Sequence, residues 1–82
     1  MTTLFVGGGR QAGIRPADLV GAIANEAGVS GRAVGSIEIA DLYSLVDVPD
    51  EAAEQIIRAL RATTIKGQRL LVRREHAKSG ER

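Results

Sequence analysis

An 82-residue chain can build one small hydrophobic core and not two, so every element must share it. The chain has no Cys, one His and only two aromatic rings, Phe5 and Tyr43, which excludes a disulfide scaffold, a thiolate zinc site and a thiol nucleophile. Net charge is +1 but segregated: residues 1–57 carry 3 basic and 8 acidic side chains and residues 58–82 carry 8 basic and 2 acidic, a pattern that suggests a basic face toward a polyanion.

No apolar run approaches the ~18 residues of a membrane span, and no signal or transit pattern follows Met1. A cytoplasmic location, no membrane partner, no small-molecule substrate and no cofactor are therefore expected. His76 lies in a polar tail and cannot build a metal site alone.

The segment from Thr3 to Asp18 organises the reading. Residues 3 to 7 predict a strand; if Leu4 and Val6 face the core, Phe5 points out of the opposite face of the sheet. Gly7, Gly8 and Gly9 then let the chain turn. Pro16 suits a first helical turn, Asp18 suits the positive end of the helix dipole, and Gly28 ends the helix. Leu19, Val20, Ile23, Ala24 and Ala27 recur at helical spacing and predict its apolar face. Gly21 lies inside this helix at a cost of about 1 kcal/mol relative to Ala, and close packing on the sheet is the expected reason.

Residues 29 to 34 read as a connection. Gly35 to Ala40 predicts a second strand with Ile37 and Ile39 inward and Glu38 outward. A short turn at Asp41 and Leu42 leads into a third, Tyr43 to Val48, with Ser44, Val46 and Val48 on one face and Tyr43, Leu45 and Asp47 on the other. So short a connection favours an antiparallel hairpin. Pro49, Asp50 and Glu51 open a second helix whose buried stripe is Ala53, Ile56, Ile57 and Leu60, with Arg58 and Arg61 near its end. After a loop from Thr63 to Gly67, Gln68 to Arg74 predicts a last strand with Leu70 and Val72 inward and Arg69, Leu71 and Arg73 outward.

The order βαββαβ predicts an α+β, ferredoxin-like sandwich: a four-stranded antiparallel sheet, order 4-1-3-2, with two helices on one face. The domain spans residues 3–74, and residues 75–82 form a polar C-terminal tail. The central strands then carry Phe5 and Tyr43 side by side on the open face, with Arg69 and Arg73 on the outer strand. Rings flanked by arginines suit single-stranded RNA, whose bases expose π faces and whose phosphates need cations.

Leu4-Phe5-Val6 and Tyr43-Ser44-Leu45-Val46 resemble the two short signatures of an RNA recognition motif. More specific are Gly8-Gly9-Arg10, the run Ile14 to Ala24, Gly28-Val29, Gly35 to Ile39, and Thr63-Thr64-Ile65-Lys66-Gly67. Together these resemble the C-terminal RNA-binding domain of bacterial DEAD-box RNA helicases of the DbpA and CsdA type, over residues 3 to 74. The resemblance implies a targeting module for structured, ribosomal RNA in ribosome biogenesis, with a helicase core in cis. The expected RNA-binding residues are Phe5, Gly8, Gly9, Arg10, Arg15, Tyr43, Lys66, Arg69, Arg73 and Arg74. Arg10 and Arg15 are the expected phosphate contacts of the loop.

The chain departs from the family pattern at Asp41, where a basic residue is usual, and at Leu45, where a second ring is usual. Asp47 adds another anion, so weaker single-strand binding is expected, with more reliance on the loop after the first strand and on the basic last strand. No Gly-Lys-Ser/Thr loop and no Asp-Glu-Ala-Asp is present, so the chain itself is expected to be no enzyme. Gly7, Gly9 and Ala12 fit a dinucleotide fingerprint, but the antiparallel hairpin contradicts that fold. A small phosphate-holding hydrolase lacks a partner for its Arg. The competing reading is a protein-interaction or self-association domain, in which Phe5, Tyr43, Leu45 and Leu71 form an apolar patch.

Overall fold

Burial alternates along the first strand and sets the layers. In the computed structural model, which describes residues 1–75, β1 (Thr2–Val6) sends Leu4 and Val6 fully into the core and leaves Phe5 half-buried on the other side. Then come α1 (Pro16–Glu26), β2 (Ile37–Ile39), β3 (Ser44–Val48), α2 (Ala53–Arg61) and β4 (Val72–Arg74). The strands form one antiparallel sheet in the order β2-β3-β1-β4, the expected ferredoxin-like topology read from the other edge. Of the expected polar tail, His76, Lys78 and Arg82 lie outside the described residues.

Local signals position both helices. Pro16 opens α1, the Asp18 carboxylate accepts the Arg15 backbone N–H at 2.9 Å, and Gly28 follows the helix at φ +70°. Leu19 and Ile23 are wholly buried by the sheet. In α2 the buried stripe is Ala53, Ile56, Ile57 and Leu60, as its spacing predicts. A 3-10 turn, Asp50–Ala52, precedes α2, and the Asp50 carboxylate accepts the Thr2 hydroxyl at 2.7 Å. That hydrogen bond, helped by the N-terminal ammonium, holds the Asp50 carboxyl below its ordinary pKa. At the other end of α2, Arg61 Nε donates to the Val72 carbonyl at 2.9 Å and ties the helix to β4.

Several expectations need correction: the second strand is Ile37–Ile39 and not Gly35–Ala40, and the third begins at Ser44 and not at Tyr43. The last strand is Val72–Arg74 and not Gln68–Arg74, because Gln68 is engaged in a tight two-way backbone pairing with Ile65 across Lys66 and Gly67, both at positive φ. Leu70 and Val72 nevertheless point inward, as expected. Ile37 and Ile39 pack against the core but are only half-buried, since β2 is an edge strand. Gly21 is not pressed against the sheet: a methyl group there would meet nothing within 4 Å.

The loop after β1 is docked by its backbone onto the β2–β3 turn. The Arg10 and Gln11 N–H groups donate to the Ala40 and Asp41 carbonyls at 2.8 and 3.0 Å. Gly9 makes the approach possible, because a Cβ there would lie 2.2 Å from the Ala40 oxygen and 2.7 Å from that of Tyr43. Ser44, the one buried polar side chain among the described residues, donates to the Gly8 carbonyl at 2.7 Å and so leaves no oxygen stranded under the loop.

These contacts predict opposite outcomes for two glycines. Gly21→Ala should raise the melting temperature by about 4–8 °C, the effect of ~1 kcal/mol of helix propensity in a domain of this size. Gly9→Ala should destabilise by about 3 kcal/mol, the upper range of overpacking, because backbone and not a flexible side chain must move. Ile23→Ala should cost about 2–5 kcal/mol. Thermal and urea melts of the three variants check all of this; a neutral Gly9→Ala would show that the loop is not held against the turn.

Candidate nucleic-acid interface

Strand register arranges the open face of the sheet in rows. In the middle row Glu38, Leu45, Phe5 and Arg73 stand opposite one another across β2, β3, β1 and β4. Toward the loop end the next row continues the register with Tyr43, Gly7 and Leu71; Gly7 N–H donates to Leu71 O at 2.7 Å, and Tyr43 O accepts Ala40 N–H at 2.8 Å. Toward the other end Asp47 stands opposite Thr3, whose hydroxyl donates to the Asp47 carboxylate at 2.6 Å. Carboxylates thus stand at both ends of this face, Asp47 held by Thr3 at one and Asp41 held by Arg10 at the loop end.

Phe5 and Tyr43 come together as expected, with ring centroids 5.6 Å apart and planes inclined by 17°. The Arg73 guanidinium lies over Phe5, 4.4 Å from the ring centroid, and also donates to the Arg74 carbonyl at 3.1 Å. Arg73, Phe5 and Tyr43 therefore form one continuous stack. Phe5 is not a free platform: Arg73 covers it on the β4 side, and Tyr43, 40% exposed, is the more open ring.

The cations differ in their freedom. Arg15 and Arg69 are exposed and have no side-chain partner among the described residues. Arg10 is engaged: one guanidinium nitrogen donates to Asp41 at 2.8 Å and the other to the Ile39 carbonyl at 2.9 Å. Lys66 lies 3.7 Å from Asp18 at the start of α1. Arg74 reaches Glu54 of α2 at 3.3 Å, on the helix side of the sheet and away from the rings. Arg10 thus stands at the turn that leads to Tyr43 and Lys66 at the start of α1, while Arg74 lies on the helix side of the sheet.

Gly8 and Gly9 are buried in the loop, where they act through the backbone shape they permit. Leu42 and Gln68, both exposed, were not anticipated as part of a binding site. Leu42, 70% exposed at the tip of the turn, joins Gly7, Gly9, Gln11, Asp41 and Gln68 around a shallow depression of about 340 Å³. Gln68 also donates to the Ala12 carbonyl at 3.1 Å, which fixes the approach to β4 against the loop. A leucine in a two-residue turn was the one local signal for this depression; nothing in the sequence pairs residue 68 with residue 12.

Among the described residues there is no group of His, Cys, Asp and Glu that could hold a metal ion, and no helix is long and apolar enough to cross a membrane. The arrangement offers stacking, a few guanidinium groups and backbone polar groups, which is the chemistry of binding.

Comparison with known proteins agrees with this. The family described as the DbpA RNA binding domain matches residues 3–74. The chain is 36% identical over 69 residues to the ATP-dependent RNA helicase DbpA of Bacillus subtilis, a match that covers 84% of this chain and 14% of the helicase. It is 33% identical over 73 residues to DbpA of Escherichia coli, covering 89% of this chain and 16% of that protein. Against the ATP-dependent RNA helicase DeaD of Mycobacterium tuberculosis the identity is 37% over 67 residues, 82% of this chain and 12% of the relative. The chain thus spans about one seventh of the length of the first of these relatives. An open sheet face with a ring pair, a basic loop end and a family match over nearly the whole of the described chain place this protein in the DbpA RNA-binding domain family.

Proposed function

We propose that this domain, residues 3–74 followed by a polar tail from residue 75, is a divergent RNA recognition motif that tethers a DEAD-box helicase core in cis to structured, ribosomal RNA. The domain itself performs no ATPase chemistry in this reading, and its setting is ribosome biogenesis in the cytoplasm. The observation that carries it is the Arg73–Phe5–Tyr43 stack standing beside the basic loop end. Stacking on a ring contributes roughly 1–3 kcal/mol per base, and guanidinium groups bind phosphate through paired hydrogen bonds.

In the proposed complex Tyr43, the open ring, stacks an unpaired base, Phe5 backs Tyr43 within the stack, and Arg73 follows the neighbouring backbone. Arg10, Arg15, Lys66 and Arg69 take phosphates at the loop end. Gly8 and Gly9 contribute through the backbone shape they permit. Arg74 acts at a distance, through its charge, because Glu54 holds it on the helix side.

The test is an anisotropy titration of the 82-residue chain with a ribosomal RNA hairpin and with an unstructured RNA of equal length, at 50 and 200 mM salt. The hairpin should bind more tightly, and four neutralised phosphates should weaken binding about fifty-fold between the two salts for single-stranded contacts. The chain has one Tyr and no Trp, so its tyrosine emission reports Tyr43 alone and should be quenched on binding. Phe5→Ala should lower affinity about five-fold or more, with little loss of fold. Salt-insensitive self-association through Tyr43, Leu42 and Leu71, with no RNA bound, would instead favour the protein-interaction reading.

A further inference from the structure

The acidic residues of the open face have different partners, and one of them bears directly on the loop. Asp47 is engaged by the Thr3 hydroxyl, and Glu38 stands on the far edge strand. Asp41 alone among them holds a cation that belongs to the proposed phosphate site, the Arg10 guanidinium, at 2.8 Å. The other pairs at the loop end and on α2 are looser, 3.7 Å for Lys66 with Asp18 and 3.3 Å for Arg74 with Glu54.

We propose that the Asp41 carboxylate is a built-in competitor that occupies the phosphate position at Arg10 in the free domain and must be displaced when RNA binds. The inference rests on the RNA-binding reading and adds a regulating residue to its site. The backbone prepares the pair, since Arg10 N–H bonds to Ala40 O at 2.8 Å and Gln11 N–H to Asp41 O at 3.0 Å. Residues 10 and 41 are thereby clamped side by side, so the pairing has only the rotamers of the two side chains left to fix. Asp41 accepts from one terminal guanidinium nitrogen and the Ile39 carbonyl from the other, so a phosphate that binds both terminal nitrogens in bidentate fashion must displace the carboxylate from one of them.

Exposure decides how strong this competitor is. The Arg10 and Asp41 side chains are 67% and 64% exposed, so water screens the pair and phosphate can reach it. Surface pairs of this kind shift an equilibrium by no more than about five-fold. Asp41 therefore lowers affinity without abolishing it. A ligand that offers only charge at Arg10 has little to set against the displacement, whereas an RNA that also stacks on Tyr43 does.

The experiment is a coupling cycle on the 82-residue chain with the RNA hairpin, using Asp41→Asn, Arg10→Gln and the double variant, with Asp41→Ser as a second carboxylate deletion and thermal melts to confirm folding. Glu38→Gln removes an equal charge from the same face as a control. Asp41→Asn and Asp41→Ser should tighten binding about two- to five-fold and steepen the salt dependence by up to about 0.7 in log–log slope. The gain should vanish in the Arg10→Gln background and be small for Glu38→Gln. Unchanged or weaker binding by folded Asp41 variants would overturn the inference while leaving RNA binding intact. So would a gain that persists without Arg10, since that is general charge removal. No RNA binding by the unsubstituted chain would overturn the RNA reading, and this inference with it.

Discussion

The whole loop end of this domain depends on one close approach of two stretches of backbone. Residues 9–11 lie against the turn at residues 40–43 so closely that Gly9 has no room for a side chain: an added Cβ would stand 2.2 Å from the Ala40 oxygen. Once that contact is made, Arg10 is fixed beside Asp41, the Gly8 carbonyl is within reach of the Ser44 hydroxyl, and the turn that carries Tyr43 is braced against the strand that carries Phe5. Remove it and the rings and the cations would no longer share one rigid frame. Pre-organisation of this kind lowers the ordering cost of binding.

Electrostatics within that frame is largely self-compensated. Arg10, Lys66 and Arg74 face carboxylates, and Arg73 spends its charge on the Phe5 ring and on a backbone carbonyl. Of the candidate cations only Arg15 and Arg69 have no such partner among the described residues. On the proposed function, a domain so arranged attracts polyanions weakly from a distance, and its selectivity comes at contact.

Some of the helix sequence serves no contact in the domain. Gly21 faces open space in the middle of α1, beside Ala17, Asn25 and the Thr63–Lys66 segment. Its presence lowers helix stability without a packing return, and nothing in the structure explains it.

Period and punctuation in the sequence determined the elements, their order and the inward residues. Alternation at Leu4-Phe5-Val6 and Ser44-Leu45-Val46 set the two central strands, Pro16 and Gly28 bounded α1, and the Ala53, Ile56, Ile57 and Leu60 stripe set α2. Those are short-range signals, which depend on neighbours a few positions away and can be read without the fold. The tertiary structure alone decided which candidate cations are free, which ring is covered and what each glycine is for. Arg10 meets Asp41 thirty-one residues on, Gln68 meets Ala12 fifty-six residues back, and Arg73 covers Phe5 across a strand pairing. Contacts at such separations are set by register and docking, and the local pattern carries no trace of them. The last strand shortened for the same reason: Gln68 closes its own small turn with Ile65 before β4 can begin.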